Sequence, residues 1–441
     1  MKKTKKSRTA HSFLFSFCFL FLILIATSSA TLPVHANTSS APISPALYVL
    51  AEQNSMAKAG LKGNPLSIGK EDFARAMNLS SVSRVTITQT PPITDGELRV
   101  GNTVVNRGQT ISGTNLSLLT YVASSADIAT SSFRFTVNDS PVDVKCQLYV
   151  LDQINQCPSL STVPESYLNV STHRNITLYG TLPCYDPDGD VTQIEIVSYP
   201  KTGILTLTDR ATGSYTFTPN ANYSGKDSFT YVARDKYGNY SASATVSLTV
   251  VKPTTSVTYA DLNDSPLHNA ALTVTEAGIM SGSQLGNQSY FYPSQSVTRG
   301  EFVVMAMHAM DMTELQSVSQ TVFADDHTIP VGMKPYVQTA YRLGFIQGET
   351  NPDGTLCFSP HREITRAEAS VILGKMLNAP VPTVTPTFSD SEDIPAWAAP
   401  SIYSLNALGI ISASSGSIAP MEPLTRGDVA TMLSTVMALN T

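Results

Sequence analysis

Three short strings in this 441-residue chain carry the same chemistry: Thr298-Arg-Gly-Glu301, Thr365-Arg-Ala-Glu368 and Thr425-Arg-Gly-Asp428. A Thr followed three residues later by an acid is a capping box, in which hydroxyl and carboxylate each accept a backbone N–H that a helix start leaves unpaired. Thr298, Glu301, Thr365, Glu368, Thr425 and Asp428 therefore have a structural task. The arginines do not, because a cation at the first helical position opposes the helix dipole. Two arrangements would justify Arg299, Arg366 and Arg426. Either each joins a helix N-terminus in holding an anion, or each is pinned by an acid such as Asp261, Asp325 or Asp390. A further acidic set, Asp186, Asp188 and Asp190 in "DPDGD", alternates along the chain and can offer oxygens to one Ca²⁺. A turn that uses Asp and Gly for their backbone preferences explains the same string.

The elements that position the tetrads recur with them. "YADLNDSPLHNAALTVTEAGIMSG", "FADDHTIPVGMKPYVQTAYRLGFIQG" and "FSDSEDIPAWAAPSIYSLNALGIISA" each open on an aromatic, one residue and Asp261, Asp325 or Asp390. Each runs through an apolar helix to Gly278, Gly344 or Gly409, then a loop, the tetrad and a second apolar helix. Three copies in order are an internal repeat.

This pattern resembles the S-layer homology (SLH) module, in three copies at 257–313, 321–379 and 386–438. The resemblance implies an all-α three-repeat spindle whose grooves bind pyruvylated secondary cell-wall polysaccharide. Arg299, Arg366 and Arg426 would then face the ketal carboxylate, with Asp261, Asp325, Asp390 and Trp397 in the same binding set. The family's Trp, seven residues after the first Asp, survives only as Trp397. Gly332 takes its place in the second copy; in the first it is His268, or Pro266 when counted back from Gly278.

Upstream, residues 160–251 contain "GSYTFTPNANYSGKDSFTYVARD" and "ATVSLTV", whose strict alternation marks half-buried strands between Gly, Asn and Pro turns. They resemble a bacterial cadherin-like or Ig-like β-sandwich. Residues 83–150 look like a diverged copy. Within 37–82, "ALYVLAEQNSMAKAG" and "GKEDFARAMN" have helical spacing, so a short helical segment is expected there. The fold class is thus multidomain: β-sandwich modules followed by an all-α SLH spindle. His173, in the loop "STHRN", reads as a solvated residue.

Residues 1–36 read as a signal peptide, with five basic residues before a 14-residue apolar run that falls short of the roughly 20 a membrane span needs. Cleavage before Asn37 leaves 23 basic against 34 acidic residues, a net charge of −11, which excludes nucleic acid as a partner. Cys146 and Cys157 are close enough in sequence to bridge a loop in an oxidising compartment. The expected protein is secreted, sits in a bacterial cell wall or S-layer, and displays the sandwiches as a stalk or adhesive element. Other surface proteins are possible partners, and calcium is the one candidate cofactor. No catalytic residue stands out, and the 46 residues at 37–82 are too few for a hydrolase domain. The alternative is a wall-associated glycan hydrolase or an accessory subunit of one.

Overall fold

The computed structural model describes residues 55–439 apart from Asn78, Thr313, Gln316, Val384 and Ser415. The expected signal peptide and its cleavage point lie outside the described residues.

The first module is a sandwich of two sheets. Strands β1 (Ser55–Leu61), β9 (Val144–Leu151), β8 (Thr130–Val137), β3 (Arg84–Gln89) and β6 (Thr110–Ser112) form one sheet in that spatial order. Strands β2 (Leu66–Ser67), β7 (Leu119–Ala123), β4 (Gly96–Val100) and β5 (Thr103–Val104) form the other. Alternate residues such as Phe133, Phe135 and Val137 point into the shared core. Part of the expected helical segment is therefore corrected. Residues 55–61 form a strand parallel to β9, in register Met56 with Cys146, so the sandwich begins well before residue 83. Tertiary context overrides local spacing here: β9 has an open edge, and Gly60 lets the backbone approach Leu66, whose side chain an added Cβ would meet at 2.5 Å. The other expected helix forms as α1 (Lys70–Ala76), held by Asp72 accepting from the Gly69 N–H at 2.8 Å and burying Phe73 and Met77.

The second module stacks the sheet β10 (Asn169–His173), β16 (Ala244–Val251), β15 (Gly225–Asp235), β12 (Thr192–Ser198) on β11 (Leu178–Thr181), β14 (Ser214–Pro219), β13 (Gly203–Asp209). A one-turn helix α2 (Glu165–Leu168) precedes β10. Phe217, Phe229, Tyr231 and Val246 fill the space between the sheets.

The C-terminal third is helical. Each repeat has a first helix, α3 (His268–Glu276), α5 (Lys334–Arg342) or α7 (Ala399–Ala407), and a second, α4 (Arg299–Ala309), α6 (Arg366–Met376) or α8 (Arg426–Leu439). Gly278, Gly344 and Gly409, at φ +70°, +77° and +72°, stand just past the first helices, where the left-handed conformation closes the last turn. Packing crosses repeat boundaries: α5 lies on α4, α7 on α6 and α3 on α8. One apolar core runs through all three repeats, including Phe302, Leu373 and Leu433.

Candidate functional site

All three capping boxes form. The Thr298 N–H donates to Glu301 at 2.9 Å and the Glu301 N–H to the Thr298 hydroxyl at 3.3 Å. Thr365 and Glu368 repeat this at 3.1 and 3.3 Å, and Thr425 and Asp428 at 2.9 and 3.2 Å.

The next two N–H groups of each helix are also engaged, by the loop of the following repeat. Arg299 and Gly300 donate to the carbonyls of Arg362 and Pro360 at 2.8 and 2.9 Å; Arg366 and Ala367 donate to Glu422 and Pro420 at 3.0 and 2.8 Å. Arg426 and Gly427 close the cycle on Gln295 and Pro293, both at 2.8 Å. The expectation that helix N-termini help to hold an anion is thus corrected: their amides already have carbonyl partners.

Pinning of the arginines by the repeat-opening aspartates is not found either. Asp261 accepts the N–H groups of Phe291 and Tyr292 at 2.9 and 2.7 Å, and Asp325 those of Phe358 and Ser359 at 2.9 and 2.8 Å. Asp390 accepts from Ile418 and Ala419 at 3.0 and 2.7 Å and from the Ser417 hydroxyl. These bonds hold Tyr292, Ser359 and Ala419 at φ +56°, +59° and +52°, a region costly for side chains other than glycine. The aspartates tie the loops that receive the neighbouring helices.

Arg299 and Arg366 instead face the acid of the next tetrad, with different outcomes, and Arg426 does not. Arg299 is 7 % exposed, lies 3.7 Å from Glu368 and sits over the Phe358 ring. Arg362 shuts this site by bridging Glu368 at 2.6 Å and Glu349 at 2.5 Å. Burial lowers the Arg299 pKa, opposed by Glu368 and Glu349. Arg366 makes a 3.4 Å contact with Asp428, and its buried Nε, like that of Arg299, has no hydrogen-bond partner. Arg426 turns away, donating at 2.8 Å to the carbonyls of both Phe291 and Ser281, above the Phe291 ring. The latch of Arg362 and Glu349 escaped sequence reasoning, which followed shared positions, whereas Arg362 stands where the other copies have Gln295 and Glu422.

Leu267, Met333 and Ala398 cap three first helices of equal length, which puts Pro266, Gly332 and Trp397 at one position. Ala367 and Ala398 are both fully buried. By the repeat symmetry that sets Gly300 against Met333 and Gly427 against Leu267, Arg366 shares its groove with Trp397, which is 57 % exposed.

His173 is not solvated. It ends β10, is 4 % exposed, and joins the second module to the spindle. Its Nδ1 is 2.8 Å and its backbone N–H 3.1 Å from Asn269 Oδ1, while Nε2 is 3.1 Å from Glu276. Glu276 also accepts the Thr254 and Thr255 amides at 2.5 and 3.1 Å, clasping the linker. The Ser166 hydroxyl donates to the Leu408 carbonyl at 2.8 Å.

Asp186, Asp188 and Asp190 do gather, with one oxygen of each within 4.8 Å of the others. Asp186 Oδ1 accepts the Asp188 and Asp190 amides at 3.0 and 3.1 Å, which is the turn role. Asp188 binds Gln156 in the segment between the sandwiches. The Lys236 ammonium, 2.7 Å from Asp190, supplies positive charge, and that hydrogen bond raises its own pKa to about 12. Asp186 Oδ2 is buried without a partner. Carboxylates suit a hard cation, but calcium takes about six to eight oxygens and would here have to displace Lys236. All four described cysteines are free, with Cys146 in the core and Cys157 exposed, so the suggested bridge does not form.

The bacterial cadherin-like domain model matches residues 159–252, and the S-layer homology domain model matches 258–303, 323–370 and 387–430. The amylopullulanase of Thermoanaerobacterium thermosulfurigenes is 32 % identical over 112 residues, covering 25 % of this chain and 6 % of that protein. The exoglucanase XynX of Acetivibrio thermocellus is 33 % identical over 105 residues, covering 23 % and 9 %. The chain thus spans less than a tenth of either curated relative. Among solved structures, Drosophila N-cadherin EC1-3 is 13 % identical over 40 % of this chain and 59 % of that one, at a TM-score of 0.21. No helix among the described residues is long and apolar enough to cross a membrane. The chain carries a bacterial cadherin-like domain followed by three S-layer homology repeats, a family of the bacterial cell surface.

Proposed function

We propose that this is a non-enzymatic surface protein. Its repeats hold pyruvylated secondary cell-wall polysaccharide non-covalently, and its two sandwiches project as a stalk. The carrying observation is the unequal state of the three arginines. Arg366 has the more exposed guanidinium side chain of the two that face a tetrad acid, 19 % against 8 % for Arg299, and makes one 3.4 Å contact with Asp428, in the groove that also presents Trp397. A guanidinium fork in that state can meet a carboxylate with two parallel hydrogen bonds, and an exposed indole can stack on a sugar face. The groove of repeats 2 and 3 is the main site in this reading, while Arg299 is buried behind the bridge that Arg362 makes to Glu349 and Glu368. The test is binding of the full chain to purified wall polysaccharide before and after removal of pyruvate. Equal binding to both polymers would defeat the reading.

A second reading, a wall-associated glycan hydrolase or an accessory subunit of one, is favoured by the named relatives, an amylopullulanase and an exoglucanase. Zymography on wall material tests the hydrolase, since clearing would establish an enzyme, and co-purification with a hydrolase tests the accessory subunit.

A further inference from the structure

The repeats differ in chemistry at the third residue before each tetrad Thr, which is Gln295, Arg362 or Glu422. The backbone there is fixed in every copy, because its carbonyl accepts the N–H of Arg426, Arg299 or Arg366 respectively. From this position the Arg362 side chain reaches Glu368, the acid of its own tetrad, at 2.6 Å. Glu422 holds the same position beside Asp428, the acid that Arg366 faces at 3.4 Å. Its N–H donates to the Ala419 carbonyl at 3.3 Å, and Pro423 restricts its backbone to an extended form. The residue is exposed, and its carboxylate has no hydrogen-bond or ion-pair partner among the described residues. The groove of Arg366 thus sets one cation against two acids. In the groove of repeats 1 and 2, by contrast, Arg299 and Arg362 balance Glu349 and Glu368. A ligand carrying only a carboxylate is a poor match for surplus negative charge, since like charges repel at short range.

We infer that Glu422 is a specificity residue for an ammonium group, so that the groove of repeats 2 and 3 takes a zwitterionic saccharide with a free amine near its carboxylate. Arg366 meets the carboxylate, Glu422 accepts N–H bonds from the ammonium, and the charges of ligand and groove then complement each other. N-acetylation turns the ammonium into a neutral amide and leaves Glu422 facing the bound sugar without its counter-charge. The inference rests on the polysaccharide reading above and narrows its ligand from an acidic glycan to one with an unacetylated amino sugar.

Short pyruvylated fragments of the wall polysaccharide are treated with base, which removes N-acetyl groups and spares the acid-labile ketal, and half of the product is acetylated again on nitrogen. Both forms are titrated into the full chain at neutral pH by calorimetry and by Trp397 emission, which reports this groove because the chain has a single tryptophan. The amine form should bind about tenfold more tightly than the N-acetyl form. Glu422→Gln should bind the two alike, and Glu422→Lys should prefer the N-acetyl form. Only the backbone of Glu422 is bonded, so both variants should melt as the wild type does. Equal affinity of the wild type for the two forms, or a preference for the amine that persists in Glu422→Gln, would overturn the inference and leave the polysaccharide reading standing. No heat and no Trp397 response with either form would remove that reading and this inference with it.

Discussion

The Val297 N–H donates to the Leu424 carbonyl at 2.9 Å, although 127 positions separate them along the chain. Leu424 donates in turn to Ile364 at 2.9 Å and Ile364 to Val297 at 3.1 Å, so three buried residues, each just before a tetrad Thr, close a ring of backbone bonds. This ring sets the three helix starts around one point and makes every groove a joint product of two repeats.

The arginines should separate by function. Arg366→Ala is expected to weaken polysaccharide binding roughly 10- to 150-fold, as losing a charged hydrogen bond costs about 1.5 to 3 kcal/mol. Arg366→Lys should also weaken it, because a point charge replaces a fork. Arg299→Ala should leave affinity intact and lower the melting temperature. The triple change to Ala at 299, 366 and 426 should abolish binding with the circular dichroism of the helices retained, since the caps remain. Calorimetry with thermal melts reads all four, and an affinity loss confined to Arg299→Ala would reverse the assignment.

Asp325→Ala should destabilise the spindle by about 3 to 6 kcal/mol, from two lost bonds to a carboxylate. It also frees Ser359 from its left-handed conformation, so the loop that receives Arg299 and Gly300 should loosen. Urea unfolding measures the first effect, and hydrogen exchange at those two amides the second.

The clasp between the second module and the spindle should open in acid. Burial works to raise the Glu276 pKa, but the amides of Thr255 and Thr254 and the His173 ring outweigh it, and the net shift is downward. A depressed carboxyl contributes stability above its unfolded value and loses it as pH falls through the folded value. Small-angle scattering and proteolysis of linker 252–256 should therefore show release at low pH. Glu276→Gln should bring part of that release to neutral pH, and a linker equally resistant in both proteins and at both pH values would refute the coupling.

Lys236 should make the second module indifferent to calcium. Chelator should leave the wild-type melt unchanged, while Lys236→Met, with Asp186, Asp188 and Asp190 no longer neutralised, should gain a calcium-dependent rise in melting temperature. A wild-type melt that drops with chelator would show that the metal displaces the lysine.

What the sequence by itself determined were the features written in local patterns. Alternation marked the strands of the second sandwich, such as β15 and β16. The Thr-to-acid spacing specified three helix starts, since a capping box needs only four consecutive residues. The repeat of Asp261, Asp325 and Asp390 marked positions that matter, and the glycines after the first helices marked their ends. Partners distant along the chain were decided by the tertiary structure. Residues 55–61 carry helical spacing and yet form a strand, because β9 offers an edge. His173 sits in a string that reads as a loop and is buried, because Asn269 and Glu276 lie across the joint. The three arginines are alike in the sequence and unlike in the fold: which acid or carbonyl reaches each guanidinium depends on the following repeat, and only the closed ring through Val297, Ile364 and Leu424 brings that repeat into place.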